Sequence, residues 1–356
     1  MRKLSLAVLL LTGALAPVSA QAPAPSPPAT TPAPSRTTAP RDVPRVVLLA
    51  TGGTIANRSS GRLTADELVA SVPGLDAVAS VEAEQFANVA SAQLSLARWI
   101  ELSRRITSRL RADPALAGIV VTSGTDTLEE LAYFLHLTVR DRRPVVVTGS
   151  MRTPEHVGYD GAANLLAAFR VAAAPAAAGR GVLVVLDDEI NGAREVTKTD
   201  ARRLHTFMAR GVGRLGVVDA DRVVFERTAA GRHTANSEFD ITRIASLPRV
   251  DVLLTYQGAT GDLITAAIDF GARGLVIATA GAGALSGTQA EGLAYARDKG
   301  IPVVITTRAG GGRITPDASP RIAGSDLSPV KARVLLMVAL AVTSDGAQLQ
   351  RIFDEY

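Results

Sequence analysis

The sequence predicts an α/β fold of two domains, a larger N-terminal one built on a parallel sheet and a smaller C-terminal α/β one. Three observations carry that expectation. Short, continuous, β-rich apolar runs recur along the chain, as in strands buried on both faces. Helix-period apolar patterns lie between them, which calls for parallel strands joined by right-handed crossovers. The rhythm breaks over 222–249, a polar stretch containing Ala229-Ala230-Gly231 and closing on Leu247-Pro248, and 356 residues leave room for a domain on each side.

Taken in order, the chain opens on Met1-Arg2-Lys3, an apolar run from Leu4 to about Leu15, and Val18-Ser19-Ala20. A positive start, a short apolar core and a small-x-small end predict a secretory signal over 1–20, cleaved after Ala20. The run is too short to span a bilayer comfortably, so the mature protein is expected to be periplasmic or secreted and free of the membrane. Residues 21–43 are almost all Pro, Ala, Thr and Ser, the composition of a disordered tether. Strands are expected at Arg45–Ala50, Gly118–Thr122, Pro144–Thr148, Gly181–Leu186, Val250–Thr255, Gly274–Ala278 and Ile301–Thr306. Helical spacing marks Thr64–Val72, Leu96–Leu110, Thr127–Val139, Gly161–Ala174, Asp262–Phe270, Thr288–Lys299 and Ser328–Val342. Thr64 and Glu67 have the spacing of a capping box. The last of these helices is apolar nearly all round, which suits a core or an interface. The expected division is 44–235, a linker at 236–247, and 248–356.

Composition excludes several chemistries. There is no cysteine, so disulfides, thiolate zinc sites, iron–sulfur clusters and cysteine nucleophiles are ruled out. The four histidines are scattered, which argues against a histidine metal site. The formal charge of +4 includes Arg2, Lys3 and Arg36; without those three, 35 basic residues face 34 acidic ones. A nucleic-acid binder shows a clustered basic excess, and this chain does not.

Ligands of open parallel sheets bind beyond the carboxyl ends of the strands. The first run ends in Thr51-Gly52-Gly53-Thr54, the second in Thr122-Ser123-Gly124-Thr125-Asp126-Thr127, the third in Thr148-Gly149-Ser150. Glycine permits positive φ and close backbone approach, and amides freed in this way can stabilise an oxyanion. Any one of these motifs reads more readily as ordinary turn chemistry; three together shift the balance towards a hydroxyl-lined site. A hydroxyl nucleophile needs a base, and no histidine stands in a persuasive context. Lys198 follows the fourth run in a chain that otherwise prefers arginine, and lysine, unlike arginine, can give up its proton. A solvated lysine or a structural ion pair is the competing reading. Two glycine motifs are set aside. Gly211–Gly216 matches G-x-G-x-x-G but follows a helical segment instead of a strand. Gly281–Gly287 has its third glycine one residue late and reads as a tight strand-to-helix turn.

Thr51-Gly52-Gly53-Thr54-Ile55-Ala56 and Gly124-Thr125-Asp126-Thr127-Leu128-Glu129-Glu130 resemble the two signature motifs of the bacterial L-asparaginase/glutaminase family. The resemblance continues through Thr148–Arg152, Val196–Thr199, Phe239-Asp240 and Lys331–Leu336, and covers 44–356 in order. With the leader, it is similar to the periplasmic type II branch. The resemblance implies hydrolysis of L-asparagine to L-aspartate and ammonia through an acyl-enzyme, with weaker action on glutamine. It implies Thr54 as nucleophile, Thr125, Asp126 and Lys198 as the second catalytic group, and Ser91 as the group that binds the substrate's α-carboxylate, with Gly53 and Gly124 lining the site. On this reading Lys198 accepts a proton through Thr125, while Asp126 holds either the lysine or the substrate ammonium. No cofactor is implied. The partners are a small amino-acid amide and further copies of the chain, in a homotetramer built as a dimer of dimers.

The sequence departs from the family pattern in three places. The segment after the first motif, Asn57–Thr64, is short and lacks the family's lid tyrosine; none of the five tyrosines is near it in sequence. Ala92 replaces the usual glutamine after the serine, and Asp317 is the sole weak candidate for an acid lent by a neighbouring subunit. These departures keep two alternatives open: a catalytically weak amino-acid-binding protein, or an amidase of altered specificity.

Overall fold

A computed structural model describes residues 43–356 except 221, 318 and 319. The signal segment at 1–20 and nearly all of the tether at 21–43 lie outside the described residues. The first strand, β1 (Arg45–Gly52), is buried from Val46 onward and divides its side chains between two cores. Val47 and Leu49 enter one; Val46, Leu48 and Ala50 enter the other. This is why the run is continuously apolar: helices cover both faces.

After β1 comes a small hairpin, β2 (Asn57–Arg58) and β3 (Gly61–Arg62), then α1 (Ala65–Ala70). The capping box at Thr64 and Glu67 is present as expected. The chain continues through β4 (Ser80–Val89), α2 (Leu96–Ala112), β5 (Leu116–Thr122), α3 (Leu128–Thr138), β6 (Val145–Thr148), α4 (Gly161–Ala173) and β7 (Val182–Leu186). Next are β8 (Glu189–Gly192), the pair β9 (Thr197–Lys198) and β10 (Phe207–Met208), then β11 (Gly216–Asp219) and β12 (Arg222–Phe225).

The large sheet has the order β12-β11-β8-β7-β6-β5-β1-β4. It corrects the expectation of a parallel sheet. Strands β4, β1, β5, β6 and β7 are parallel, but β8, β11 and β12 run antiparallel to their neighbours. The reversal occurs at Asp187 and Asp188, both at positive φ (53° and 57°). That is a two-residue hairpin turn of the kind whose twist matches its strands. Strand β4 was not expected either. It lies at the sheet edge, half-exposed, and its polar side chains hide it from a search for apolar runs.

The second sheet, β13 (Val250–Leu254), β14 (Gly274–Thr279), β15 (Val303–Thr307) and β16 (Ile322–Ala323), is parallel throughout. Helices α5 (Asp262–Asp269) and α6 (Gln289–Asp298) alternate with its strands, and α7 (Pro329–Leu340) and α8 (Gly346–Glu355) close the chain. Helix α7 is buried on nearly every side, sharing one core with α3 and with Val250, Val276 and Val304 of the small sheet. Its buried side chains, from Ala332 to Ala339, belong to the core of this chain. The Gly211–Gly216 segment links β10 to β11, so it follows a strand, not the expected helix, and no helix follows it. Gly281–Gly287 joins β14 to α6 as a strand-to-helix turn.

Phe134 anchors α3 against α2, its ring 5.6 Å from that of Trp99, with both side chains buried. Phe134→Ala is expected to cost about 3–5 kcal/mol, the range for emptying a large aromatic site in a packed core. Chemical denaturation checks this; a loss below about 1 kcal/mol would contradict the packing described.

Candidate active site

The register of the parallel strands aligns their ends. Ala50 pairs with Thr122, and Thr122 with Thr148, so the three glycine-containing turns emerge at one edge. Thr51 Oγ1 donates to the Thr122 carbonyl at 2.7 Å. Gly52 and Gly53 follow at φ 101° and 89°, and Gly53 N donates to the Val89 carbonyl at 3.0 Å. A Cβ at Gly52 would overlap the Val89 backbone, and one at Gly53 would overlap the backbone of Gly124. Glycine is therefore required twice, by conformation and by space. Thr54, half-buried, opens the single 3-10 turn that follows. It is carried to the Gly124-Thr125 segment by this backbone packing.

Around Thr125 the predicted residues converge. Lys198 Nζ donates to Thr125 Oγ1 at 3.0 Å and to Asp126 Oδ1 at 2.8 Å. The lysine side chain is 15% exposed and the aspartate 79%, so the pair runs from the protein interior to solvent. Ser91 is buried; its hydroxyl accepts from Thr127 N at 3.4 Å and lies against Gly124. The structure thus gathers Gly53, Thr54, Ser91, Gly124, Thr125, Asp126 and Lys198 at one strand edge.

Two further residues support Lys198 from below. Glu129, at the start of α3, accepts at Oε1 from Thr197 Oγ1 (2.9 Å) and from Lys198 N (3.2 Å). Lys331 of α7 is buried; its Nζ donates to the carbonyls of Arg194 (2.9 Å) and Val196, and lies 4.0 Å from Glu129 Oε2. Together they hold the backbone of the segment leading into Lys198. The rarity of lysine was the available signal for Lys331, since Lys3, Lys198, Lys299 and Lys331 are the only four.

The remaining expectations divide. The tilted rings of buried His136 and half-buried His233 lie 5.0 Å apart, His205 pairs with Asp187, and His156 contacts Thr153. No group of three His, Asp or Glu side chains suited to a metal occurs among the described residues. Asp317 forms an ion pair with Arg321 at 3.0 Å. No helix among the described residues is long and apolar enough to cross a membrane. No tyrosine is near the first motif in sequence, yet Tyr159 reaches it in space, its hydroxyl donating to the Ile55 carbonyl at 2.8 Å.

Burial pushes the Lys331 ammonium down to about 8, against the pull of Glu129 and Glu195. Between that value and the ordinary 10.5, the unfolded chain binds this proton more readily than the native one. The site's contribution to stability therefore improves as pH rises through the window. Lys331→Met removes the titration at similar volume. The stability difference between wild type and Lys331→Met is expected to move in favour of wild type between about pH 8 and pH 10. A difference that does not vary with pH in urea denaturation would contradict the buried, depressed lysine.

Comparison with known proteins gives the same assignment over both sheets. Residues 45–231 match the family model described as "Asparaginase, N-terminal", and residues 249–353 match "Glutaminase/Asparaginase C-terminal domain". L-asparaginase 2 of Bacillus subtilis is 40% identical over 330 residues, covering 89% of this chain and 88% of that protein. A Haemophilus influenzae protein named "Probable L-asparaginase periplasmic" is 35% identical over 330 residues, covering 88% and 94%. A solved structure from Campylobacter jejuni, named "Probable Cytoplasmic L-asparaginase", superposes with a TM-score of 0.84 at 36% identity, covering 88% of this chain and all of that one. With both family models matched in order across the described fold, the chain belongs to the asparaginase family.

Proposed function

We propose that this protein hydrolyses the side-chain amide of L-asparagine to L-aspartate and ammonia through an acyl-enzyme on Thr54. The observation that carries the reading is the chain of contacts from Lys198 Nζ to Thr125 Oγ1, on the segment packed against the Gly53 turn that bears Thr54. Family membership supports asparagine as the substrate, and the family's joint glutaminase description supports weaker action on glutamine.

In the first half-reaction Thr54 Oγ attacks the amide carbon and its proton passes toward Thr125 and Lys198. The tetrahedral oxyanion meets backbone amides of the glycine turns. The carbon–nitrogen bond then breaks, and the relayed proton leaves with the amine as ammonia. Water attacks the resulting ester, yielding aspartate and restoring the Thr54 hydroxyl. In this reading Ser91 receives the α-carboxylate, and Asp126, largely solvent-exposed, receives the α-ammonium while holding Lys198. We further propose export on the 1–20 leader and assembly as a homotetramer, a dimer of dimers. Cell fractionation and light scattering test these.

Two variants test the chemistry. Thr54→Ala is expected to lose roughly 10³-fold or more of ammonia release with its thermal stability retained, because it removes the covalent route. Near-wild-type release would sink the nucleophile assignment. Lys198→Arg keeps the charge but cannot surrender a proton, and is expected to lose roughly 10²-fold in turnover. Turnover within a few-fold of wild type would make Lys198 a structural cation. Assaying asparagine, glutamine and blocked amides side by side separates a true asparaginase from an amidase of altered specificity and from a binding protein.

A further inference from the structure

The hairpin after the nucleophile turn has little to hold it. Strands β2 and β3 contribute two residues each, Asn57 through Gly61 are exposed, and a two-stranded hairpin is marginal alone in water. Its tie to the rest of the site comes from the 149–160 loop between β6 and α4. Glu155 accepts at Oε1 and Oε2 from Ser59 N (3.2 and 3.1 Å), and Oε1 accepts from Ser59 Oγ at 2.7 Å. Four residues on, the Tyr159 hydroxyl donates to the carbonyl of Ile55, the residue after Thr54. A Cβ at Gly161 would overlap that phenol, so the glycine is what allows the ring to lie where it does.

The loop is itself braced. Asp160 accepts from Met151 N and Arg152 N, both at 2.9 Å. Asn164 donates to Asp160 and to the Gly149 carbonyl at 3.0 Å each, and accepts from Asp187 N at 2.9 Å. Arg152 Nη1 donates to the Gly158 carbonyl at 2.9 Å. A loop fastened to the ends of β6 and β7 therefore reaches across to the end of β1. Burial pushes the Tyr159 phenol well above its ordinary range, so it stays a donor. Hydrogen bonds from the Ser59 hydroxyl and backbone amide hold the Glu155 carboxyl below its ordinary value, helped by Arg58 and His156, so it stays an acceptor.

We propose that Tyr159 and Glu155 are positioning residues, forming a strap that fixes the Thr54 turn and the 57–62 hairpin in the reactive arrangement. The inference rests on the hydrolytic reading above. Their side-chain hydrogen bonds go to Ile55 and Ser59, and it is through these that they act on the site. Because Glu155 and Ser59 are exposed, their bonds contribute little to global stability. The strap's effect is local.

The test uses the full chain, with Tyr159→Phe, which removes only the hydroxyl, and with Glu155→Ala and Glu155→Gln. Peptides spanning 54–63 are followed by hydrogen–deuterium exchange, alongside kcat and KM for asparagine. Tyr159→Phe is expected to lower kcat about tenfold, the scale of one hydrogen bond, with KM within about twofold. Exchange of the 54–63 peptides should quicken at least several-fold in Tyr159→Phe and Glu155→Ala, with the rest of the chain unchanged, and Glu155→Gln should restore part of it. Unchanged exchange in both variants overturns the strap. Faster exchange with wild-type kcat overturns its role in positioning the nucleophile. Should the wild type release no ammonia from any amide, the hydrolytic reading fails, and the exchange data still decide whether the strap exists.

Discussion

The site depends on one close approach: the backbone of Gly53 packed against the backbone of Gly124. Two strands that are neighbours in a parallel sheet end at the same level, and only glycine lets the chains leaving them touch. That contact places the Thr54 turn beside Thr125 without any side chain being spent on it. Everything polar in the site then needs to be arranged around two segments already in register. The edge strand β4 completes the clamp, since the Val89 carbonyl receives the Gly53 amide and the same strand blocks any side chain at Gly52.

The second constraint is a buried charge system. Taking Glu129 and Lys331 out of water is expensive unless each finds partners. Their partners are the backbone and hydroxyl groups of 194–198, so the desolvation cost is offset by ordering the segment that carries Lys198. A helix of the C-terminal part of the chain packs on α3, and its Lys331 reaches the carbonyls of Arg194 and Val196, just before the strand pair bearing Lys198. The backbone oxygen of Tyr356, which accepts from Arg194 Nε at 2.5 Å, ties the same segment to the end of α8. The C-terminal helices α7 and α8 thus brace the segment bearing Lys198 within a single chain.

Much of this was legible in the sequence where side-chain pattern and backbone requirement coincide. Doubly covered strands such as β1 and β5 are apolar throughout, and the capping box of α1 is a local matter of Thr64 and Glu67. The gathering of Thr54, Ser91, Thr125, Asp126 and Lys198 followed from reading strand ends and from family resemblance together. Elements whose stability is set elsewhere were missed. Strand β4 is polar because one side of it faces solvent, and α8 is mostly polar, with Leu349, Ile352 and Phe353 buried. The antiparallel edge turns on two aspartates in left-handed conformation, which no apolar pattern announces. Tyr159 meets Ile55 from 104 residues away, a contact that exists only once β6 and β1 share a sheet. Glu129 was visible inside its motif, but its task depends on the strand pair lying over the start of α3.

The proposed hydrolysis requires a covalent aspartyl ester on Thr54, and acid quenching of the protein during turnover of L-asparagine, followed by peptide mass mapping, looks for that ester itself. One β-aspartyl group is expected on the peptide carrying Thr54, formed at a rate no slower than turnover and lost on dilution into substrate-free buffer. An aspartyl group on Thr125 instead, or single-turnover ammonia release with no covalent species on any peptide, would contradict it.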